Sequence, residues 1–488
     1  MADVLRLPRR AAPPPLATYE AGKPTPWHLS PPASLPQDAE IGNAGMRLRD
    51  WARHLAANSS VIRAVLDSRV ANGIGPGLIY EPLVRDRRGA LLTDFNNQIK
   101  RVLAKWRRAP DVTGELSGGE LERLLWRAWD TDGEVFLRQV RRRTGAGIPY
   151  QVQVIESDLV PMLLLDGKRG TVQGISKDEW GRPIEYLVYR RRPSALLWGV
   201  QYVEADLIRL PAADIRHLKR IVRPDQTRGL TLLHAVIFRT ADIAEYQQSH
   251  RLAARASADL WASINRSADY IAPDEDTGRN WDLGQLQMLD NLAPGESVNF
   301  HTPAHPNQNA PDFVNSELRQ IAAGTRSGFS EIAQVWDSSY AAQRLEKVQV
   351  WRFIEQDRSQ FASDVALPAL YEEPLRWAFE AGLVKIPRAA DPETLYDVRI
   401  DGPQMPVIDP QKDRAAYVLD QENGWDSRAG IIRKMGRSPA DVDAEREQDP
   451  YLDEDLRQPE PEPKPAAKPV AEEQDDEEAD KKPEDETP

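Results

Sequence analysis

R-P-D-Q-T-R-G-L-T-L-L, residues 223–233, runs into H-A-V-I-F-R-T-A-D-I-A-E-Y-Q-Q-S-H-R-L-A-A-R-A-S-A-D-L-W-A-S-I, residues 234–264, and the reading of this stretch decides the fold. Pro224 and Gly229 punctuate its start, and neither proline nor glycine returns before Pro273. That pattern predicts one long alanine-rich helix through Ile264. Its length would be roughly 50 Å at about 1.5 Å per residue. Ala241, Ala244, Ala253, Ala254, Ala256 and Ala258 would let neighbouring elements approach it closely. A core helix of an ordinary domain is the plainest reading.

Outward from this stretch, the chain has the bulk of a multi-domain protein: 488 residues, 41% of them hydrophobic. The longest apolar run, Val160 to Leu165, is far below the ~18 residues of a membrane span. The N-terminal sequence M-A-D-V-L-R-L-P-R-R lacks the apolar core of a secretory signal. The absence of cysteine excludes disulfides, thiolate zinc sites and cysteine nucleophiles, and suits assembly in a reducing cytoplasm. The net charge is −13, but residues 452–488 hold 15 Asp/Glu against 5 Lys/Arg, leaving 61 acids and 58 bases elsewhere. A nearly neutral body argues against a tight clamp on DNA, whose affinity would come from neutralised phosphates. It leaves room for a conduit along which DNA slides.

In chain order, the prolines between Pro13 and Pro36 predict an extended arm over 1–45, with helix from Met46. Asn72-Gly73-Ile74-Gly75-Pro76-Gly77 follows a helix and precedes a strand, the reverse of a dinucleotide-binding loop, so no nucleotide site is expected there. Ser117-Gly118-Gly119-Glu120 is a capping box, opening a helix with Leu121, Leu124, Leu125, Trp126 and Trp129. Asp130-Thr131-Asp132-Gly133-Glu134 lacks the order of a calcium loop and reads as a helix-to-strand turn. Strands are expected at Val135–Val140, Val152–Ile155, Val172–Ile175 and Ile184–Tyr189, the last two flanking a hairpin turn. Arg138, Arg141, Arg142 and Arg143, with Arg190, Arg191 and Arg192, read as a solvated strand face or subunit salt bridges rather than a DNA contact. His301 and His305 share a proline-containing loop without a carboxylate ligand, so no zinc site is expected. A second helix begins near Asp312 and stops at Gly324, and a third runs from about Ala341 to Phe361. Asp409-Pro410 and Ser438-Pro439 each start a helix of a small C-terminal domain. Beyond Leu452 the composition predicts a disordered acidic tail.

No P-loop, G-x-S-x-G, H-E-x-x-H or carboxylate cluster for two-metal chemistry appears, which makes an enzyme the weaker hypothesis and calls for no cofactor. Several segments together resemble the lambda-type portal proteins of tailed bacteriophages. They are N-G-I-G-P-G-L (72–78), D-G-E-V-F-L-R (132–138), G-I-S-K-D-E-W-G-R-P-I-E-Y (174–186), I-R-H-L-K-R with R-P-D-Q-T-R-G-L-T-L-L (215–233), L-A-P-G-E-S-V (292–298), L-R-Q-I-A-A-G (318–324), and V-I-D-P-Q-K-D-R-A-A with S-R-A-G-I-I-R-K-M-G (407–436). Of the N-Y-S-S-x-R pattern similar proteins carry after the second helix, only the Tyr and Arg persist in Ser338-Ser339-Tyr340-Ala341-Ala342-Gln343-Arg344.

The resemblance implies an α+β, portal-type, ring-forming subunit: an N-terminal arm (1–45), an α/β wing (46–230), a stem helix (231–265), a clip (266–309), a second stem helix (310–324), a tunnel loop (325–342), a long wing helix (343–385), a helical crown (386–451) and the acidic tail (452–488). It implies a dodecameric ring at one capsid vertex, assembled in the host cytoplasm and incorporated in the virion. The implied partners are the major capsid protein, the large terminase subunit, a head-tail adaptor or completion protein, and double-stranded DNA passing without sequence specificity. DNA-facing candidates are Arg326, Ser338, Ser339, Tyr340, Gln343, Arg344 and Lys347; clip candidates are Asp274, Glu275, Asp276 and Arg279. The alternatives are another phage head protein, a minor capsid protein or adaptor, which would lack the helix–clip–helix order, and a phage nuclease or protease.

Overall fold

The computed structural model describes residues 35–141, 147–167, 169–190, 207–258, 261–266, 296–301, 310–406 and 409–448. The chain divides into two units, Met1–Ile408 and Asp409–Pro488. In the first, Pro36 precedes α1 (Gln37–Asn58), so helix begins nine residues before Met46 and the expected extended arm is helical over 37–45; residues 1–34 lie outside the described residues. The high proline content upstream hid this start, since Pro36 itself is compatible with a helix beginning at the next residue. Ser59 then accepts from the Ile62 amide and caps α2 (Ser60–Gly73).

The glycine-rich turn after α2 leads into β1 (Ile79–Pro82), then α3 (Thr93–Trp106) and α4 (Gly118–Asp132). The capping box forms as expected: the Ser117 hydroxyl accepts from the Glu120 amide, and the Glu120 carboxylate accepts from the Ser117 amide. Gly133, at φ 85°, ends α4 in a left-handed cap. Trp106, Trp126 and Trp129 are all at most 1% exposed, and burial of each stabilises the fold by roughly 2–3 kcal/mol. They sit in the largest apolar core together with Phe361, Leu370 and Tyr371 from near the end of the unit.

β2 (Glu134–Val140) is the centre of an antiparallel three-stranded sheet, between β3 (Gln151–Ile155) and a strand met later in the chain. A four-stranded antiparallel meander follows: β4 (Thr171–Val172), β5 (Ile175–Lys177), β6 (Pro183–Tyr189) and β7 (Leu207–Pro211). The single strand expected at 172–175 is two strands, because Gln173 (φ 53°) and Gly174 (φ 79°) make a tight reversal between them. β8 (Ile215–Lys219) returns to pair with β2, Phe136 opposite His217.

The helix expected to run through Ile264 ends at Ala258. A short 3-10 turn at Leu232–Ala235, capped by Thr231, precedes α5 (Ile237–Ala258). After Ala258 the chain forms β9 (Trp261–Arg266), which pairs with β10 (Glu296–His301), Ile264 opposite Val298. The strand overrides the helical pattern because its partner is some thirty residues downstream, beyond the reach of local propensity. α6 (Ala310–Thr325), the short α7 (Phe329–Ala333) and α8 (Tyr340–Phe361) follow, so part of the region expected as loop between 325 and 342 is helical. α8 continues through a wide π-type stretch, Ala362–Glu372, that accommodates Pro368, into α9 (Glu373–Glu380). β11 (Val398–Asp401) closes the unit by pairing antiparallel with β1.

In the second unit, Asp409 accepts from the amides of Gln411 and Lys412 to cap α10 (Pro410–Glu422). Ser427 caps α11 (Arg428–Lys434), and α12 (Pro439–Gln448) begins at Pro439 as its Ser-Pro signal predicts.

Candidate functional site

α5 and α6 lie side by side: Arg239 donates to Glu317 at 2.8 Å and the Tyr246 and Phe313 rings are 4.8 Å apart. Since the sequence numbers rise along one helix as they fall along the other, the two run antiparallel. Only the base of α5 is buried: Ile237 and Ile243, with Val236 just before the helix, join Leu318, Ile321 and Ala322 of α6 in a core shared with α1 and α2, and Thr240 is buried as well. From Ala244 to Arg255 no residue of α5 is buried. Phe238 and Leu252 are 73% and 56% exposed. Between the helices lies an open cavity of about 600 Å³, lined by Phe238, Asp242, Ile243, Tyr246, Phe313 and Glu317.

What anchors this helix pair is the 223–230 loop, whose Gln226, Thr227 and Arg228 are buried. Arg228 spends its whole fork. Its Nε donates to both Glu134 oxygens (2.8 and 3.0 Å), Nη1 to the Val160 and Gln173 carbonyls (both 3.0 Å), and Nη2 to the Ser157 carbonyl (3.0 Å). Glu134, fully buried, also accepts from Arg49 Nη2 at 2.9 Å and the Gly229 amide at 2.8 Å. Burial alone would raise its carboxyl; the Arg228 charge, the His217 hydrogen bond and Arg49 outweigh it and hold the group well below the usual carboxylate range. His217 Nε2 is 3.0 Å from a Glu134 oxygen, and because a carboxylate only accepts, the ring carries its proton there. Burial pushes His217 down to about 4 in spite of that partner. Close approach of the loop needs glycine on both sides: a Cβ on Gly229 would lie 2.1 Å from the Gly133 carbonyl oxygen, and one on Gly133 2.2 Å from the Leu230 carbonyl carbon.

A second buried network joins α2, α4, α8 and the end of β8. Arg69 donates to Asp130 (3.0 Å) and Asp357 (2.5 Å), and Arg220, stacked 4.1 Å over the Trp129 ring, pairs with the same two carboxylates. Desolvation raises Asp357, and Arg220 and Arg69 more than offset it, so its carboxyl lies below the ordinary range.

Several of the DNA-facing candidates are engaged inside the subunit. Arg326, in a left-handed conformation at φ 55°, lies 3.8 Å from Asp357 and 5.2 Å over the Phe353 ring. Lys347 pairs with Glu331, which also accepts from Ser68. Gln343 Nε2 donates to the carbonyls of Trp336 (3.1 Å) and Ser338 (2.9 Å), Ser339 caps α8, and Arg344 donates to the Tyr340 hydroxyl at 3.1 Å. These residues therefore shape the 334–339 loop, whose Trp336 is 52% exposed. Asp274, Glu275, Asp276 and Arg279 lie outside the described residues, as do His305, Arg142, Arg143, Arg191 and Arg192. Arg141 packs 5.2 Å over the Trp377 ring, and Arg190 is exposed. Among the described residues no group of three or more His, Cys, Asp or Glu side chains is placed to hold a metal, and no helix is long and apolar enough to cross a membrane. The Glu134 and Asp130 hubs were not foreseen as sites. Their signal was present, since Asp130-Thr131-Asp132-Gly133-Glu134 follows two buried tryptophans and its carboxylates need cations if they stay beside that core.

A family model described as "Phage portal protein, lambda family" matches residues 27–358, spanning the hubs, α5, α6 and most of α8. The chain belongs to this family. A probable portal protein of Halomonas phage phiHAP-1 is 28% identical over 422 residues, covering 81% of this chain and 78% of the relative. Among solved structures, the neck of a native gene transfer agent particle computed with C12 symmetry is similar at 15% identity and a TM-score of 0.44, covering 81% of this chain and 94% of its own. The neck of an empty particle, computed with C6 symmetry, is similar at 15% identity and a TM-score of 0.46, covering 83% and 95%.

Proposed function

We infer that this phage portal protein forms a ring-shaped channel at one vertex of a tailed-phage head, through which double-stranded DNA is packaged and later ejected. The observation that carries this reading is the lambda-family match across 27–358, coupled with a helix–insert–helix order at α5, the β9–β10 pair and α6. In this reading α5 and α6 are the stem, the insert is the clip, the 334–339 loop faces the lumen, the α/β part up to about residue 230 and the α8–α9 rod form the wing, and the second unit belongs to the crown. The role is structural rather than catalytic. A stiff wall suits it: α5 and α6 are rooted through the 223–230 loop in a hub of buried charges, so sliding DNA meets a wall fixed at its base.

The ring has twelve subunits and assembles in the host cytoplasm before entering the virion. The partners are the major capsid protein, the large terminase subunit and an adaptor or completion protein, with DNA contacted without sequence preference. Negative-stain electron microscopy of the purified protein tests the reading. Rings with a central channel and a countable symmetry are the expected outcome, and a preparation of monomers under assembly conditions would refute it.

A further inference from the structure

From Arg85 to Arg108 the chain holds eight Lys/Arg against two Asp/Glu, a local charge of +6 that the near-neutral sum of the body conceals. The segment comprises the turn after β1 and the whole of α3. One side of α3 is fixed. Phe95, Ile99, Leu103 and Trp106 lie in the largest core, the Phe95 and Phe379 rings stack at 6.4 Å, and Trp106 Nε1 donates to the Tyr150 carbonyl at 2.8 Å. At about 100° per residue the opposite face carries Asn97, Arg101, Ala104 and Arg108, with Gln98 and Lys105 along its edge. Of these only Asn97 is half-buried and the rest are exposed. Among the described residues, Arg107 is the one cation of the eight that forms an ion pair, with Glu122 at 2.8 Å.

The chemistry of this face selects its partner. It presents no apolar side chain larger than alanine, so it lacks both the buried anchor of a protein interface and a group to insert into a bilayer. Phosphates need neither: cations neutralise them, and amide side chains such as those of Asn97 and Gln98 donate to their oxygens. Arg101 and Arg108 stand about 10 Å apart along the helix axis, a length over which duplex DNA carries roughly six phosphates at one per ~1.7 Å. The turn that enters α3 adds to the positive field. Asp86 Oδ1 accepts from the amides of Arg88 and Ala90 at 2.9 and 2.8 Å, and the Arg87 amide donates to the Ala389 carbonyl at 3.3 Å. That pairing sets the exposed Arg388, from a distant part of the sequence, beside the exposed Arg87 and Arg88.

We propose that the exposed face of α3, through Arg101, Lys105 and Arg108, binds the phosphate backbone of duplex DNA without sequence preference. This is a contact apart from the channel, since α3 packs in the core around Trp106 and Trp126 whereas α5 and α6 pack in the core of Ile62 and Ile321. It is a property of the single chain and does not need the ring. Three phosphates neutralised per chain make a weak contact, and several copies held in one assembly multiply it.

Filter retention of relaxed, closed-circular duplex DNA by the full-length protein tests the proposal, because a closed circle cannot be threaded through a ring and reports only contact outside a channel. Replacing the three cations together, Arg101→Gln, Lys105→Gln and Arg108→Gln, is expected to reduce the slope of log affinity against log salt by about 2.7, at ~0.9 per phosphate. Between about 50 and 200 mM salt the wild type should then lose roughly fortyfold more affinity than this variant. An unchanged slope, or circles that are never retained, overturns the proposal. Arg63→Gln, Arg182→Gln and Arg414→Gln remove as many exposed cations from other elements and should leave the slope as it was; an equal drop there means a general effect of charge and also overturns it. Polyglutamate that displaces the circles at a lower concentration of charge makes α3 a surface for carboxylates instead, and the proposal falls. The pair Arg101→Lys and Arg108→Lys keeps the charge and should keep the wild-type slope, which separates lost phosphate contact from lost fold. None of these failures touches the channel reading.

Discussion

Glu134 receives Arg228, Arg49, His217 and a backbone amide while fully shielded from water, and such a group is stable only as long as every partner stays in place. Removing one partner of a buried ion pair strands the other, at a cost of about 3–5 kcal/mol. Lysine cannot replace Arg228, because a single ammonium cannot serve a carboxylate and three carbonyls that diverge around a planar fork. Arg228→Lys should therefore lower unfolding stability by about 3 kcal/mol or more, read from denaturant midpoints, whereas Arg209→Lys, at the exposed Arg209–Glu185 pair, should cost under about 1 kcal/mol. His217 gives the hub a pH dependence. Its folded value of about 4 lies below its ordinary 6.5, so the unfolded chain takes up the proton first. The stability it contributes is complete above pH ~6.5 and is lost as pH falls toward 4. Lys219 and Arg228 bear on the ring from the cationic side and Glu134 from the anionic side. His217→Gln, which stays neutral, should flatten the fall in melting temperature between pH 6.5 and 4.5; a slope equal to that of the wild type would exclude His217 as its source.

At the level of elements, Gly133 shows how a turn fixes the relation between α4 and the loop that leads into α5. Gly133 and Gly89 have nearly the same left-handed angle, φ 85° and 87°, but a Cβ on Gly89 meets nothing within 4 Å, while one on Gly133 strikes the Leu230 backbone. Gly89→Ala should cost about 1 kcal/mol from backbone conformation alone. Gly133→Ala should cost several times more, because the 223–230 loop must withdraw; equal melting temperatures for the two variants would show the close approach to be slack. Turns and caps of this kind were legible in the sequence: Ser117 with Glu120, Gly133, Asp409-Pro410 and Ser438-Pro439 all act within a few residues of themselves. What was not legible depends on distant partners. The end of α5 at Ala258 is set by a strand at 296–301, and the roles of Lys347 and Arg326 are set by Glu331 and Asp357, which no local pattern brings together. Long basic side chains beside a loop looked available for DNA because the carboxylates that engage them sit on other elements.

For the whole molecule, the distribution of charge matters more than its sum. Residues 452–488 hold −10 of the formal −13, so the remainder stands near neutrality at −3. A wall that lets DNA slide must avoid a field of phosphate-binding cations, and the engagement of Lys347 and Arg326 by carboxylates of the same chain works in that direction. The acidic segment adds a repulsive term that acts at a distance set by ionic strength, about 10 Å at 0.1 M salt. The family match on which the ring reading rests spans 27–358, upstream of this segment. Deleting 452–488 should therefore leave the mass of the assembled ring unchanged apart from the residues removed. The same deletion should strengthen retention of duplex DNA of arbitrary sequence at low salt, because the strongest anionic field has gone. That gain should shrink steadily as salt is raised, since screening weakens the repulsion in the intact chain just as effectively as truncation removes it. Loss of rings on deletion would mean that the segment makes an assembly contact, and retention that stays equal at every salt concentration would mean that its charge never faces the DNA.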